Sequence, residues 1–132
     1  MKNWIYVGIF LDDDSKKTLE DLFPTPKGWK GYYDHMTVVY NDGSRIANIV
    51  KEFNDVNVGE DYPLIITGVG ISEKTMAVKV RLPLGVICAN PIPHITLCVS
   101  PEGKPSDSND IDIWHDIEPL EVWGNVKVYE GK

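Results

Sequence analysis

Along WIYVGIF, residues 4–10, hydrophobic side chains alternate. A strand there puts Ile5, Val7 and Ile9 on one face and Trp4, Tyr6, Gly8 and Phe10 on the other. The pattern then changes period. DDSKKTLEDLF (13–23) reads as a helix capped by Asp14 or Ser15, with Leu19, Leu22 and Phe23 as its apolar stripe. The Pro- and Gly-rich PTPKGWKGYY (24–33) reads as a loop. DHMTVVY (34–40) is a strand closed by the turn signal NDG. Ser44 caps a second helix, 45–54, whose Ile46, Ile49, Val50 and Phe53 fall at i, i+3, i+4, i+7. Two strands, 62–72 and 75–82, flank a turn at Glu73-Lys74, and PLGVICANPIP (83–93) connects to a strand at PHITLCV. A polar loop (100–110), a short helix capped by Ser108 and running through Trp114, and a last strand at 120–129 complete the order. In that last strand Glu121, Trp123, Asn125 and Lys127 share a face.

Two of these strands carry a histidine that a strand does not need. His35 and Thr37 share one face of the first, while Met36, Val38 and Tyr40 share the other, which reads as core. His94 and Thr96 repeat the arrangement 59 residues later, with Cys98 extending their face as the floor of a cleft. Each histidine is followed by an apolar strand, a Gly-containing turn and a serine-capped helix. That weak repeat predicts an α+β fold of two related halves about a pseudo-twofold axis, with both His/Thr faces lining one central cleft. No linker divides the chain, so residues 1–132 are expected to form one domain.

Composition narrows the function. A formal charge of −7 with 13 basic residues is poorly suited to long nucleic acid, which demands many Lys/Arg–phosphate contacts, but not to a small anionic ligand held by a few donors. No apolar run reaches the roughly 18 residues of a membrane span. The N-terminal apolar stretch lacks a cleavage signature, and two cysteines, Cys88 and Cys98, make no disulfide framework. A cytoplasmic location is expected.

Histidine, with an ordinary pKa near 6.5, exchanges protons at neutral pH. Two across a cleft can divide one displacement between them, one taking a proton from the attacking oxygen and one giving a proton to the leaving oxygen. A phosphodiester has non-bridging oxygens whose charge grows in the transition state, and the Thr37 and Thr96 hydroxyls are placed to donate to them. The scheme calls for no metal or cofactor. A zinc site from His35, His94 and His115 or Cys98 has no supporting ligand spacing and leaves both threonines unexplained; His115 reads as a surface residue.

The paired HMTV and HITL segments resemble the H-x-T/S-x motifs of the two-histidine (2H) phosphoesterase superfamily. The resemblance implies a bilobal antiparallel α+β fold with a central cleft. It implies metal-independent chemistry at 2′,3′-cyclic phosphates, at 2′-5′ links or at 3′-5′ links adjoining a 2′-hydroxyl. His35 and His94 would be acid and base in an order that stays open, and Thr37 and Thr96 would bind phosphate. IYVGIFLD and PHITLCVSPEGKPSDSN look most like the phage anti-CBASS branch, whose enzymes cleave the cyclic di- and trinucleotide signals of bacterial defence. RNA-end processing at 2′,3′-cyclic phosphates and a non-catalytic nucleotide sponge are the competing functions.

Further candidates have plain structural alternatives. Tyr6 is positioned to stack on a base or to fill the structure; Lys104 to meet a ligand phosphate or only solvent. Glu121 and Trp123 form a pair that could read a base edge and cover its ring. Trp29, Tyr32 and Tyr33 form a lid or pack the loop before His35, and Ser106, Ser108 and Asn109 organise the later loop.

Overall fold

The computed structural model describes residues 3–131. Its strands are β1 (Trp4–Leu11), β2 (Lys30–Gly31), β3 (His35–Tyr40), β4 (Asp61–Ile71), β5 (Thr75–Arg81), β6 (His94–Val99) and β7 (Trp114–Glu130), with helices α1 (Asp13–Leu22) and α2 (Arg45–Asp55) and a 3-10 helix at Pro105–Asp110. This is a β-rich α+β fold. The strands form one connected antiparallel sheet, in the order β2-β6-β3-β1-β7-β4-β5. A further β5–β6 pairing closes all the strands but β2 into a ring. The result is one continuous, barrel-like sheet.

Alternation fills the ring. Val7, Ile9, Met36, Val38, Ile66, Val78, Ile95, Leu97, Val122 and Val126 are buried in one cluster. The ring is narrowest in pairing between β3 and β6, where Met36 and Ile95 face each other. Beyond that point β2 takes over beside β6, pairing with Cys98 and Val99.

A bulge interrupts β3. Val7 pairs with Val39 but Gly8 pairs with Thr37, so Val38 has no partner on β1. Both Val38 and Val39 are buried, and Tyr40 is turned to the His35 side instead of the predicted core side. The same irregularity recurs in β6: Met76 pairs with Cys98 and Ala77 with Thr96, skipping Leu97. Cys98 is thereby carried off the His94/Thr96 face into the core, contrary to the expectation that it floors the cleft.

The helices correct three further expectations. Asp12, not Asp14 or Ser15, caps α1, its carboxylate accepting from the Ser15 N–H at 2.8 Å. Ser44 caps α2 as its sequence position suggests. Yet α2 buries Ala47, Val50 and Asn54, while Ile46, Ile49 and Phe53 are 71%, 54% and 50% exposed. Small Ala47 permits close approach, and the Asn54 amide donates to the Val50 and Ile87 carbonyls. No helix forms through Trp114: β7 already starts there, pairing Trp114 with Gly70 of β4. A Cβ on Gly70 would stand 2.8 Å from the indole, so glycine leaves room for that ring. Among the described residues no helix is long and apolar enough to cross a membrane.

In denaturant titrations Ile95→Ala should cost about 2–5 kcal/mol and Ile95→Val about 0.5–1.5. Ile46→Ala, on the exposed stripe of α2, should stay within about 0.5 kcal/mol. Equal losses at both positions would contradict this placement of the core.

Candidate functional site

The Met36–Ile95 pair fixes what lies on either side of it. One step along each antiparallel strand, His35 comes opposite Thr96 and Thr37 opposite His94. All four side chains alternate with buried Met36, Val38, Ile95 and Leu97, so they share the outer face of the two strands. There they line one cavity of about 770 Å³. Ser44 and Ala47 of α2, Ala89 and Asn90 of the connector, and Pro105, Ser106 and Asn109 of the 3-10 helix contribute to its walls.

The His35 imidazole is held among aromatic rings. It stacks with Phe10 at 4.9 Å and with Tyr6 at 5.2 Å between ring centroids. Gly8 makes space for it: a Cβ there would meet His35 Cδ2 at 3.3 Å and the Met36 carbonyl at 3.3 Å. Asp34 sits 3.2 Å from His35 Nδ1 and also pairs with Lys16 at 3.2 Å. With Nδ1 engaged, Nε2 is the nitrogen left for chemistry. Lys127, opposite Gly8 on β7, places its ammonium 5.7 Å from the Phe10 centroid. Burial is the main reason the Tyr6 phenol is pushed above its ordinary pKa, followed by its neighbours Tyr40, Asp34 and Tyr129.

His94 has a different environment. Its Nδ1 lies 2.8 Å from the Ile92 carbonyl, which fixes Nδ1–H as donor and leaves the Nε2 lone pair free. Burial lowers its pKa from the ordinary value, against an opposing contribution from the Ile92 carbonyl. The cross-strand neighbour of His94 on β5 is Lys79. Beside it, the Thr96 hydroxyl meets the buried Ser108 hydroxyl at 2.8 Å, and Ser108 meets Thr75 at 3.0 Å. A chain of hydroxyls thus runs from the core to Thr96, whose own hydroxyl also donates to the Pro105 carbonyl at 3.4 Å.

The sequence candidates divide in three. His35, Thr37, His94, Thr96 and Tyr6 line the same cavity. Lys104 is exposed and outside that lining, although Pro105 and Ser106 after it are part of it. Glu121 and Trp123 are also outside. The last β1–β7 pair is Leu11–Gly124, so they lie beyond the end of β1, where the Trp123 N–H donates to Ser15 Oγ of α1. They bond to each other, Trp123 Nε1 donating to Glu121 Oε1 at 2.9 Å. In the loop before His35, Tyr32 reaches the cavity, Tyr33 is buried in the core and Trp29 packs against the core. His115 is exposed. Among the described residues no three His, Cys, Asp or Glu side chains gather to hold a metal ion.

Several site residues have weak sequence signals. Asp34 was visible only as an acid beside a histidine. Ser108 belongs to a polar loop whose fold decides its role. Lys79 and Tyr40 depend on cross-strand register and on the bulge. If the Gly8 gap positions His35, Gly8→Ala should shift the imidazole in histidine-ring NMR spectra while the His94 signals stay in place; unchanged His35 signals would contradict that role.

The crystal structure of a fungal RNA kinase superposes with a TM-score of 0.68 at 11% sequence identity, over 96% of this chain and 46% of that one. The chain thus spans about half the length of that structure, and at this identity the likeness concerns the fold alone. No curated protein sequence matches. Residues 13–120, from the start of α1 into β7 and including both His-x-Thr strands, match the family model described as the fungal tRNA ligase phosphodiesterase domain, and the chain belongs to that family.

Proposed function

We propose that the protein is a phosphodiesterase that cleaves a phosphate ester next to a ribose 2′-oxygen, with His94 and His35 exchanging the protons. The single observation that carries this reading is the convergence of His35, Thr37, His94 and Thr96 on one cavity. Family membership supports phosphodiester chemistry at an RNA end. The substrate is then a 2′,3′-cyclic phosphate.

In that reaction the His94 Nε2 lone pair takes a proton from water. The water oxygen bonds to phosphorus, and one phosphorus–ribose oxygen bond breaks. His35 delivers a proton to the departing ribose oxygen. Thr37 and Thr96 donate hydrogen bonds to the non-bridging oxygens, where negative charge builds.

A second reading, cyclic oligonucleotides as substrates, draws on the cavity. Its volume of about 770 Å³ is near the upper part of the usual range of about 300–1,000 Å³ for small-molecule sites, and aromatic rings continue past His35. The charge of −7 suits a small ligand better than a long strand. In this case a neighbouring 2′-hydroxyl attacks first, giving a cyclic phosphate that the same histidines then open. Such an activity would fit the immune-evasion role of the anti-CBASS branch.

The strand order also supports a duplicated, two-lobed origin. Exchanging β1, β3 and β4 with β5, β6 and β7 leaves the neighbour relations of the ring unchanged. The two bulges, each just after a motif threonine, obey the same exchange.

Turnover of 2′,3′-cyclic mononucleotides, short RNAs ending in a cyclic phosphate and cyclic dinucleotides should be measured in EDTA. His35→Ala and His94→Ala should each lose about 10²–10⁴-fold in kcat while remaining folded. Preference for the RNA end or for the closed ring decides between the readings, and capture of unchanged ligand by wild type and both variants would show a sponge. The base must be unprotonated, so activity should fall as pH drops through the depressed pKa of His94. The acid limb of kcat/KM is therefore expected below pH 6.5. An acid limb above that value would contradict the assignment of His94.

A further inference from the structure

Three tyrosines lie side by side across three strands on the face that carries His35. Tyr6 of β1 is the cross-strand partner of Tyr40 on β3 and of Tyr129 on β7. The Tyr6 ring stacks with Tyr129 at 5.1 Å and 17°, and meets Tyr40 at 5.4 Å and 34°. The row joins the site directly, because Tyr6 also stacks with His35. Burial of the outer two is incomplete: Tyr40 is 62% exposed and Tyr129 52%. Tyr40 reaches this face through the bulge at Val38; unbroken alternation would have sent it to the core. It ends the row on the cavity side, and both it and Tyr6 line the cavity.

The two ends of the site are chemically unlike. Around His94 the cavity is walled by Asn90, Pro105, Ser106 and Asn109, with Asn90 Nδ2 donating to Asn109 Oδ1. The cluster of Tyr6, Phe10 and Tyr40 rings is on the other side, with His35, whereas His94 meets a tilted Trp114 ring at 6.3 Å. A planar ring that is held upright by its neighbours and wetted on its remaining surface is the feature that nucleobases stack on, without preference among bases. We propose that Tyr40, backed by Tyr6 and Tyr129, is a stacking shelf for the nucleobase on the His35 side of the bound phosphate. The shelf recognises any flat heterocycle attached to the ribose. It sets affinity for nucleosides over simple ribose phosphates and leaves base identity to the polar end. This assignment rests on the nucleotide reading of the cavity.

Binding tests it independently of turnover. The probes are adenosine 2′-monophosphate and base-free ribose 5-phosphate, titrated by calorimetry into wild type, Tyr40→Ala and Tyr40→Phe. Tyr40→Ala should weaken adenosine 2′-monophosphate by about 5- to 150-fold, the range stacking commands, and Tyr40→Phe should restore it. Ribose 5-phosphate should bind all three proteins alike. Equal weakening of both probes by Tyr40→Ala would mean that the ring only supports Tyr6 and His35, and would overturn the shelf. So would unchanged adenosine 2′-monophosphate binding. If the wild type binds the nucleotide through Tyr40 but cleaves none of the phosphodiesters above, the hydrolytic reading fails and the shelf stands.

Discussion

One cross-strand contact organises the site. Met36 and Ile95 face each other between β3 and β6, both fully buried, and their burial decides where four other side chains go. Because strand side chains alternate, sealing these two in the core forces His35, Thr37, His94 and Thr96 to the opposite face. Because the strands are antiparallel, each histidine lies across from the other motif's threonine. A slip of one residue in either strand would bury the imidazoles and expose the apolar residues, so the energetics of the core and the geometry of the site are one constraint.

That symmetric frame carries unlike surroundings. Phe10 and Tyr6 flank His35 and Asp34 meets its Nδ1. A backbone carbonyl meets His94 Nδ1, and burial keeps that ring neutral at lower pH than usual. Thr96 is tied to Ser108 and through it to Thr75, both buried. The two imidazoles differ because their environments differ, even where the backbone arrangement repeats. The two ends of the cavity differ accordingly, with stacked rings about His35 and the Asn90–Asn109 amide pair near His94.

Much of this could be read from local pattern. The His-x-Thr faces, the cap at Ser44, the alternation of β1 from Tyr6 to Phe10 and the place of Tyr6 follow from periods of two and 3.6 residues, whereas the irregularity between Trp4 and Tyr6 leaves Ile5 exposed and packs Trp4 against the core. What could not be read depends on partners distant in sequence. The bulges at Val38 and Leu97 break the period, which is why Tyr40 and Cys98 lie on the faces opposite to those that alternation predicts. Hydrophobicity places Ile46, Ile49, Val50 and Phe53 on the α2 stripe, whereas packing keeps only Val50 of these and adds Ala47 and the amide of Asn54, whose bond to Ile87 no helical pattern reveals. Glu121 and Trp123 do share a face with Lys127, but β1 ends at Leu11, so α1 and not the cavity lies against them. The continuity of the ring is set by the length of β7, which pairs with β1 and β4 along 17 residues.

The most direct measurement of the shared site is a titration with uridine 3′-monophosphate followed through the ring signals of both histidines. One phosphate held between the motifs should shift His35 and His94 together, with a common dissociation constant, while exposed His115 stays unchanged. Movement of only one of the two imidazoles, or of the pair with separate affinities, would contradict a site built from both strands.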